Sequence, residues 1–222
     1  MSFNVAIDGP AGAGKSTIAK MLAKELAYVY VDTGAMYRAI GYYFLKNGVN
    51  SDDVETIEKE LSNINVSIVY QDGEQQVLLN GENVNGVIRQ EEVGKMASAT
   101  SKYKAVREKL VETQRQIARE QNIIMDGRDI GTVILPDATV KFYLTASVEV
   151  RAKRRYDELV AKGEACDLKE IEKDIADRDY QDMNREVSPL KQAKDAVLLD
   201  SSYLDIPQVV AEMKKKIMEK LS

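Results

Sequence analysis

Residues 5–17 pass from a short apolar segment into a glycine-rich loop and then into a stretch with apolar side chains at four-residue spacing. The loop matches the pattern G-x-x-x-x-G-K-[ST], which is most predictive between a strand and a helix. Its glycines let backbone N–H groups surround phosphate oxygens, and the helix N-terminus adds positive potential. The motif predicts ATP or GTP binding; the alternative is a glycine-rich turn that binds nothing. The predicted phosphate-binding residues are Gly9, Pro10, Ala11, Gly12, Ala13, Gly14, Lys15, Ser16 and Thr17.

Two side chains of this loop predict the chemistry of the site. A lysine at the position of Lys15 reaches the β- and γ-phosphates of a bound nucleotide, and a hydroxyl at the position of Ser16 lies near Mg²⁺. We therefore expect ATP as a substrate, Mg²⁺ as the cofactor and Ser16 as the metal-side residue.

Short apolar segments recur along the chain with helical stretches between them. They cover residues 5–8, 28–32, 123–126, 140–144 and 196–200. Apolar runs separated by helices are typical of buried strands in a parallel sheet. Ligands of such sheets bind beyond the carboxyl ends of the strands. The sequence therefore predicts an α/β fold with a parallel five-stranded sheet flanked by helices, and a site just past the strand ends.

Residues 64–86 depart from this pattern. Apolar and polar residues alternate from Val66 to Tyr70, and the dipeptides Asp72-Gly73 and Asn80-Gly81 follow. Both dipeptides favour two-residue hairpin turns. The segment therefore predicts a small antiparallel β insert of three strands.

Composition excludes several classes of function. The sequence has no histidine, so histidine zinc sites, Ser-His-Asp triads and histidine general bases are excluded. The net charge of −5 argues against a protein that binds nucleic-acid polymers. Cys166 is the one cysteine, and neither a secretory signal nor a membrane-spanning apolar run is evident. We expect a soluble cytoplasmic monomer with no membrane partner.

Polar clusters follow two further predicted strands. Asp32-Thr33-Gly34 leads into a predicted helix that carries Tyr37 and Arg38, and Arg38 is suited to hold a second nucleotide's phosphate. The alternative is an N-capped helix with a surface arginine. The second cluster, Asp126-Gly127-Arg128-Asp129, follows residues 123–125. It is either part of the site or a solvated turn closed by its own salt bridge.

Arginines are concentrated on two predicted helices near the end of the chain. The first carries Arg151, Arg154 and Arg155. The second begins near Asp167, a capping residue followed by Glu170, and its residues 178, 182 and 185 fall on one helical face. That face is either a phosphate clamp or an ordinary ladder of ion pairs.

Together these motifs resemble the bacterial cytidylate kinase family. The sequence carries IDGPAGAGKST, DTGAMYR, MDGRDIGTVI and RDYQDMNREVSPL in the order of that family, and the resemblance covers essentially the whole chain. It implies a P-loop NTPase-type kinase domain over residues 1–222, with an acceptor-binding region at about 33–107 and a helical lid at about 151–185. The implied reaction transfers the γ-phosphoryl group of ATP to CMP, and also to dCMP.

The resemblance further implies roles for individual residues. The acceptor-binding set is Thr33, Tyr37, Arg38, Ser98, Arg107, Asp126, Arg128, Asp129, Arg178, Asp182 and Arg185. Within it, residues 38, 128 and 185 hold the CMP phosphate, and residues 98, 107 and 129 contact the cytosine edge. The catalytic set is Lys15, Arg128, Arg154, Arg155 and Arg185, in which residues 154 and 155 are lid arginines over the ATP phosphates.

Some alternatives stay open at this level. The acceptor can be another compound such as UMP or AMP, or the protein can be a nucleotide-dependent switch ATPase or a silent binding module. Many nucleoside monophosphate kinases have glycine after the loop lysine, whereas this chain has Ser16-Thr17. Either hydroxyl can therefore approach Mg²⁺, directly or through water.

Overall fold

The structure is a computed structural model that describes residues 2–71 and 73–221. The strands are β1 (Asn4–Asp8), β2 (Val29–Asp32), β3 (Val66–Gln71), β4 (Glu74–Leu79), β5 (Glu82–Asn83), β6 (Ile123–Gly127), β7 (Val140–Thr145) and β8 (Val197–Asp200). The α-helices are α1 (Lys15–Leu26), α2 (Thr33–Lys46), α3 (Val54–Glu60), α4 (Glu91–Thr100), α5 (Lys104–Glu120), α6 (Val148–Ala161), α7 (Leu168–Asn184) and α8 (Ile206–Leu221). A 3₁₀ turn covers Leu61–Asn63, and a π-helical turn covers Ile130–Ile134. Among the described residues, no helix is long and apolar enough to cross a lipid bilayer.

The larger sheet contains the five segments that the apolar pattern predicts. Its strand order is β2-β6-β1-β7-β8. β1 pairs in parallel with β7, where Val5 faces Val140, and β7 pairs in parallel with β8, where Phe142 faces Val197. Burial is most complete in β1 and β6. The prediction of a parallel five-stranded sheet is confirmed.

The predicted insert forms a separate antiparallel sheet of β3, β4 and β5. Between β4 and β5, Asn80 and Gly81 have φ angles of 51° and 87°, as a tight hairpin turn of this type requires. Asp72, half of the other predicted turn dipeptide, lies outside the described residues. The third strand has two residues, so it is shorter than the segment that the sequence suggests.

The chain divides into two compact units. The first unit consists of Val29–Ile123 with Ser2. In it α2 packs against α4 and against the smaller sheet. The side chains of its core are contributed by α2, the smaller sheet and the helices around them, and include Met36, Ile40, Phe44, Ile57, Val77, Leu79, Val93 and Leu110.

The second unit consists of Phe3–Tyr28 and residues 124–221. In it α1 packs against α8, and α6 packs against α7. The predicted cap of α7 is confirmed, because Asp167 Oδ1 accepts the N–H groups of Lys169 and Glu170 at 2.8 and 3.0 Å. α6 begins in a similar way, with Ser147 Oγ accepting the N–H of Val150.

The end of α7 corrects one expectation. Helical spacing placed Arg185 on the face of Asp182, but α7 ends at Asn184 and Arg185 is extended, with φ −63° and ψ 144°. Its guanidinium group donates to the carbonyl oxygen of Ser188 at 2.6 and 2.8 Å. The chain therefore turns back on itself, and Arg185 reaches Asp182 from beyond the helix end, at 3.2 Å.

The approach of α2 to α4 gives a test of the first unit. We expect Gly41→Ala to lower the free energy of unfolding by about 1–3 kcal/mol through overpacking. The added Cβ would lie 2.9 Å from Ala97 N and 3.1 Å from Val93 O. Gly94→Ala on α4 is the matched control, because its nearest atom is Arg38 Nε at 3.9 Å. Alanine's better helix propensity should leave the control neutral or more stable by about 0.5–1 kcal/mol. Equal effects in urea unfolding would contradict this packing.

Candidate functional site

The predicted phosphate-binding loop, residues 9–17, leads from β1 into α1 in the second unit. Gly14 has φ 88° and immediately precedes α1, so the first N–H groups of the helix face the loop. A Cβ at Gly9 would lie 1.9 Å from the carbonyl oxygen of Leu144. Glycine is therefore required at position 9 for the loop to lie against the end of β7.

Lys15 is the one charged residue of residues 9–17. Its side chain is buried, and Nζ donates to Pro10 O at 2.7 Å. Burial, followed by the nearby Arg128 guanidinium, lowers the pKa of Lys15 to about 7. The carboxylates around Lys15 therefore do not fully compensate its positively charged form. A bound phosphate would supply further negative charge.

Ser16 and Asp126 lie side by side. Ser16 Oγ donates to Asp126 Oδ2 at 2.9 Å, which joins the start of α1 to the end of β6. Thr17 is exposed, and Asp126 is buried. A hydroxyl beside a carboxylate at a phosphate loop suits Mg²⁺, which prefers oxygen ligands and binds through few protein groups plus phosphate. These residues therefore fit the ion.

A buried ion pair holds the loop from the side of α6 and α7. Arg151 Nη2 lies 2.6 Å from Asp179 Oδ2, and Arg151 Nη1 donates to Ala11 O at 2.8 Å. Asp179 Oδ1 in turn accepts the N–H of Ala11 at 3.4 Å. Both polar groups of one loop residue are thus bound by the same pair. Sequence reasoning placed Arg151 on a helix but did not assign this role, and it missed Asp179.

The arginine cluster of the second unit surrounds Asp182. Arg128 Nε donates to Asp182 Oδ2 at 2.8 Å, and Arg185 Nη1 donates to Asp182 Oδ1 at 3.2 Å. Although burial raises the pKa of Asp182, Arg128 and Arg185 together hold it below its usual value. Arg185 also lies 4.0 Å from Asp129. The structure therefore brings the predicted residues 128, 129, 182 and 185 together.

Arg178 interacts electrostatically with Arg128 and Asp182 of this cluster. Burial and then the nearby Arg128 lower its pKa, which the carboxylates around it only partly oppose. Repulsion between neighbouring cations favours the binding of an anion.

Asp8 is a buried carboxylate that sequence reasoning did not single out. It accepts the N–H groups of Ile130 and Gly131 at 2.8 and 2.7 Å. Burial raises its pKa to about 6, against the lowering effect of these two hydrogen bonds. Asp8 therefore ties the end of β1 to the turn that follows Arg128 and Asp129.

The two predicted lid arginines make contacts elsewhere on the second unit. Arg154 Nη2 donates to Ser201 O at 2.6 Å, just after β8. Arg155 pairs with Glu158, one turn along α6, at 3.0 Å. In this structure, therefore, both side chains lie on their own helix or against the segment that follows β8.

The first unit contains the remaining predicted residues. Asp32 caps α2, because Oδ1 accepts the N–H of Ala35 at 2.9 Å, and Thr33 is buried behind it. A Cβ at Gly34 would lie 3.5 Å from Arg38 Nη1, so this guanidinium group lies beside the first turn of α2. The helix N-terminus and Arg38 thus form an anion-binding arrangement.

Arg107 and Ser98 lie on the helices next to it. Buried Arg107 places its guanidinium carbon 5.4 Å from the centre of the Tyr37 ring and donates to Ser101 O at 3.1 Å. The Ser98 carbonyl accepts the hydroxyl of Ser101 at 3.0 Å. Positions 37, 98 and 107 are thereby linked within the first unit.

Comparison with known proteins identifies the family. The family model described as "Cytidylate kinase" matches residues 5–219. A cytidylate kinase of Caldicellulosiruptor saccharolyticus is 51% identical over 95% of this chain and 93% of its own length. The chain belongs to the cytidylate kinase family. A second member, from Ligilactobacillus salivarius, is 49% identical over 98% of this chain and 97% of its own length.

Solved structures show the fold that this cytidylate kinase family member shares more widely. An uncharacterized protein from Eubacterium ventriosum matches with a TM-score of 0.54 at 12% identity, over 97% of this chain and 98% of that one. Shikimate kinase from Bacteroides thetaiotaomicron matches with a TM-score of 0.50 at 12% identity, over the same shares. At such low identity these neighbours support the P-loop kinase architecture alone.

The lowered pKa of Lys15 predicts proton uptake when ATP binds. A pKa of about 7 leaves the amine mostly neutral at pH 8, and phosphate oxygens beside it would raise that pKa and draw in a proton. Calorimetry of ATP binding at pH 8, in buffers of different ionisation enthalpy, should show an uptake approaching one proton. Lys15→Arg is the matched control, since arginine is always charged. Equal uptake by both proteins would contradict the assignment to Lys15.

Proposed function

We propose that the protein transfers the γ-phosphoryl group of ATP to CMP, forming ADP and CDP, and that it also accepts dCMP. The observation that carries this proposal is the grouping of the buried Lys15 with the partly buried Arg128 and Arg178 beside the predicted phosphate-binding loop in a cytidylate kinase family member. Such a site favours the charge of phosphoryl groups.

The phosphate-binding loop, residues 9–17, is proposed to bind ATP. Backbone N–H groups around Gly12 and Gly14 would bind the phosphate oxygens, with Lys15 on the β- and γ-phosphates. The Arg151–Asp179 pair keeps the loop in place by holding Ala11 on both sides. Loop geometry is thus fixed before the nucleotide arrives, which reduces the cost of ordering it.

Ser16 and, through water, Asp126 are proposed to hold Mg²⁺ beside the nucleotide. When bound, the ion supplies charge neutralisation on the β- and γ-phosphates. Ser16 is favoured over Thr17 because its hydroxyl already lies 2.9 Å from the Asp126 carboxylate, whereas Thr17 is exposed.

We propose that eleven side chains bind the acceptor. They are Thr33, Tyr37, Arg38, Ser98, Arg107, Asp126, Arg128, Asp129, Arg178, Asp182 and Arg185. The arginines at positions 38, 128 and 185 would bind the CMP phosphate in forked geometry, since a guanidinium group matches two phosphate oxygens.

The acceptor's own phosphate serves as the nucleophile in this scheme. A phosphate monoester has a second pKa of about 6, so it is mostly dianionic at neutral pH and needs no strong general base. One of its oxygens forms the new bond to the γ-phosphorus, while the bond from that phosphorus to the β-phosphate oxygen breaks and leaves its electrons on ADP. The protein's task is to position the reactants and to stabilise charge with Lys15, Arg128 and Arg185.

The helices α6 and α7 are proposed to form a lid over about 151–185. Arg154 and Arg155 are its candidate phosphate ligands, and Arg154 would exchange its contact with Ser201 for the triphosphate on closure. Exclusion of water by a closed lid limits the hydrolysis of ATP. We further propose a monomer acting in the cytoplasm; light scattering at assay concentration tests the oligomeric state.

An ADP-release assay with each nucleoside monophosphate in turn tests the proposed reaction. We expect rapid turnover with CMP and dCMP, and little release without an acceptor. Turnover with UMP or AMP in place of CMP would preserve the kinase chemistry but reject the acceptor. Release that is independent of every acceptor would point to a switch ATPase and reject the proposed function.

Asp129 is proposed to read the cytosine base, and this role predicts a change in specificity. The 4-amino group of cytosine can donate to its carboxylate, whereas uracil presents an oxygen there. We expect Asp129→Asn to reduce the ratio of kcat/KM for CMP over UMP by about tenfold, since an unmatched buried group costs about 1–3 kcal/mol. Asp137→Asn, at an exposed position after the same turn, is the control. An unchanged ratio in Asp129→Asn would exclude the assigned role.

A further inference from the structure

β2 has an open main-chain edge because it lies at the end of the strand order β2-β6-β1-β7-β8. Residues two apart in a strand direct their N–H and C=O groups to the same side. Tyr30 and Asp32 therefore present their main-chain groups along one edge. The polar groups on the outer side of a terminal strand need hydrogen-bond partners, because they otherwise stay exposed to other strands.

Two side chains of the smaller sheet bind this edge. Tyr70 on β3 and Gln75 on β4 are directly opposite each other, so their side chains share one face of that sheet. The Tyr70 hydroxyl donates to Tyr30 O at 3.1 Å. The Gln75 amide accepts the N–H of Asp32 at 2.8 Å and donates to Asp32 O at 3.3 Å. One amide thus reproduces both bonds that a neighbouring strand would make.

Asp32 is held from its side chain as well. Its Oδ2 lies 2.6 Å from Arg89 Nη2, while its Oδ1 accepts the N–H of Ala35 at the start of α2. Burial would raise the pKa of Asp32, but the pairing with Arg89 outweighs it and keeps the pKa below its usual value. The carboxylate therefore stays ionised, and it is fixed at the point where β2 becomes α2.

We propose that Gln75 is a positioning residue for the acceptor nucleotide. By fixing the main chain of Asp32, it sets the direction of the start of α2, which carries Thr33 in its first turn and Arg38 in its second. Through Gln75, the inserted sheet would thus keep the N-terminus of α2 in position to bind an anion. This inference rests on the proposed function, because it assigns that end of α2 to the acceptor.

Steady-state kinetics separate positioning from general stability. In Gln75→Met the side chain keeps its length but loses both hydrogen bonds. We expect its KM for CMP to rise about three- to tenfold, with the KM for ATP within about twofold of the unaltered protein, given the modest net value of two neutral hydrogen bonds. Gln76→Met is the matched control, because the Gln76 amide oxygen accepts from Asn83 and Asn85 within the insert. Its KM for CMP should not change.

Hydrogen exchange of the ligand-free proteins tests the same inference without any acceptor. The amides of Asp32 and Ala35 should exchange faster in Gln75→Met than in Gln76→Met, because the strand end and the helix cap loosen together. Gln75→Asn, which keeps the amide but is one methylene shorter, replaces Gln75→Met if that variant does not fold.

Unchanged exchange at these amides, or equal kinetic effects of the two methionine variants, would overturn the inference. If the unaltered protein does not use CMP, the proposed function fails instead. The exchange comparison then still decides whether Gln75 fixes Asp32, and the KM comparison is made with the acceptor that the assay identifies.

Discussion

The positive charges of Lys15 and Arg128 must be compensated in the interior of the second unit, and much of the structure around them serves this purpose. Lys15 loses water on burial and is repelled by the partly buried Arg128, which is why the pKa of Lys15 falls to about 7. Carboxylates at positions 126 and 182 offset part of this cost. Because this compensation of Lys15 is incomplete, a bound phosphate would stabilise its charged form.

The aspartates at or next to the carboxyl ends of β1, β2 and β6 show how far one sequence pattern can be followed. Asp8 binds two main-chain N–H groups, Asp32 caps a helix, and Asp126 accepts a serine hydroxyl. The pattern predicts that each residue lies at the carboxyl end of a strand, because apolar runs and turn residues are local signals. It does not predict the three different partners, because two of these partners come from segments more than a hundred residues away.

The difference between local and long-range signals also explains which parts of the site can be predicted from the sequence. The phosphate-binding loop, the five strands and the cap at Asp167 have short-range signatures, and the structure contains each of them. The Arg151–Asp179 pair and the Arg89–Asp32 pair join segments with no shared motif, so only tertiary packing defines them. The helical pattern continues through Arg185, so the sequence places that residue on α7, which in the structure ends at Asn184. The hydrogen bonds from Arg185 to the carbonyl oxygen of Ser188 leave no periodic signal in the sequence.

The position of β2 at the end of its sheet has an evolutionary consequence. The chain leaves the sheet after Asp32, builds α2 to α5 and the smaller sheet, and returns as β6. A segment inserted after a terminal strand can grow, shrink or be replaced without threading a new strand through the interior strands β6, β1 and β7. The length and packing of residues 33–122 can therefore change while the order of the interior strands, and with it the loop that leads from β1 into α1, stays the same.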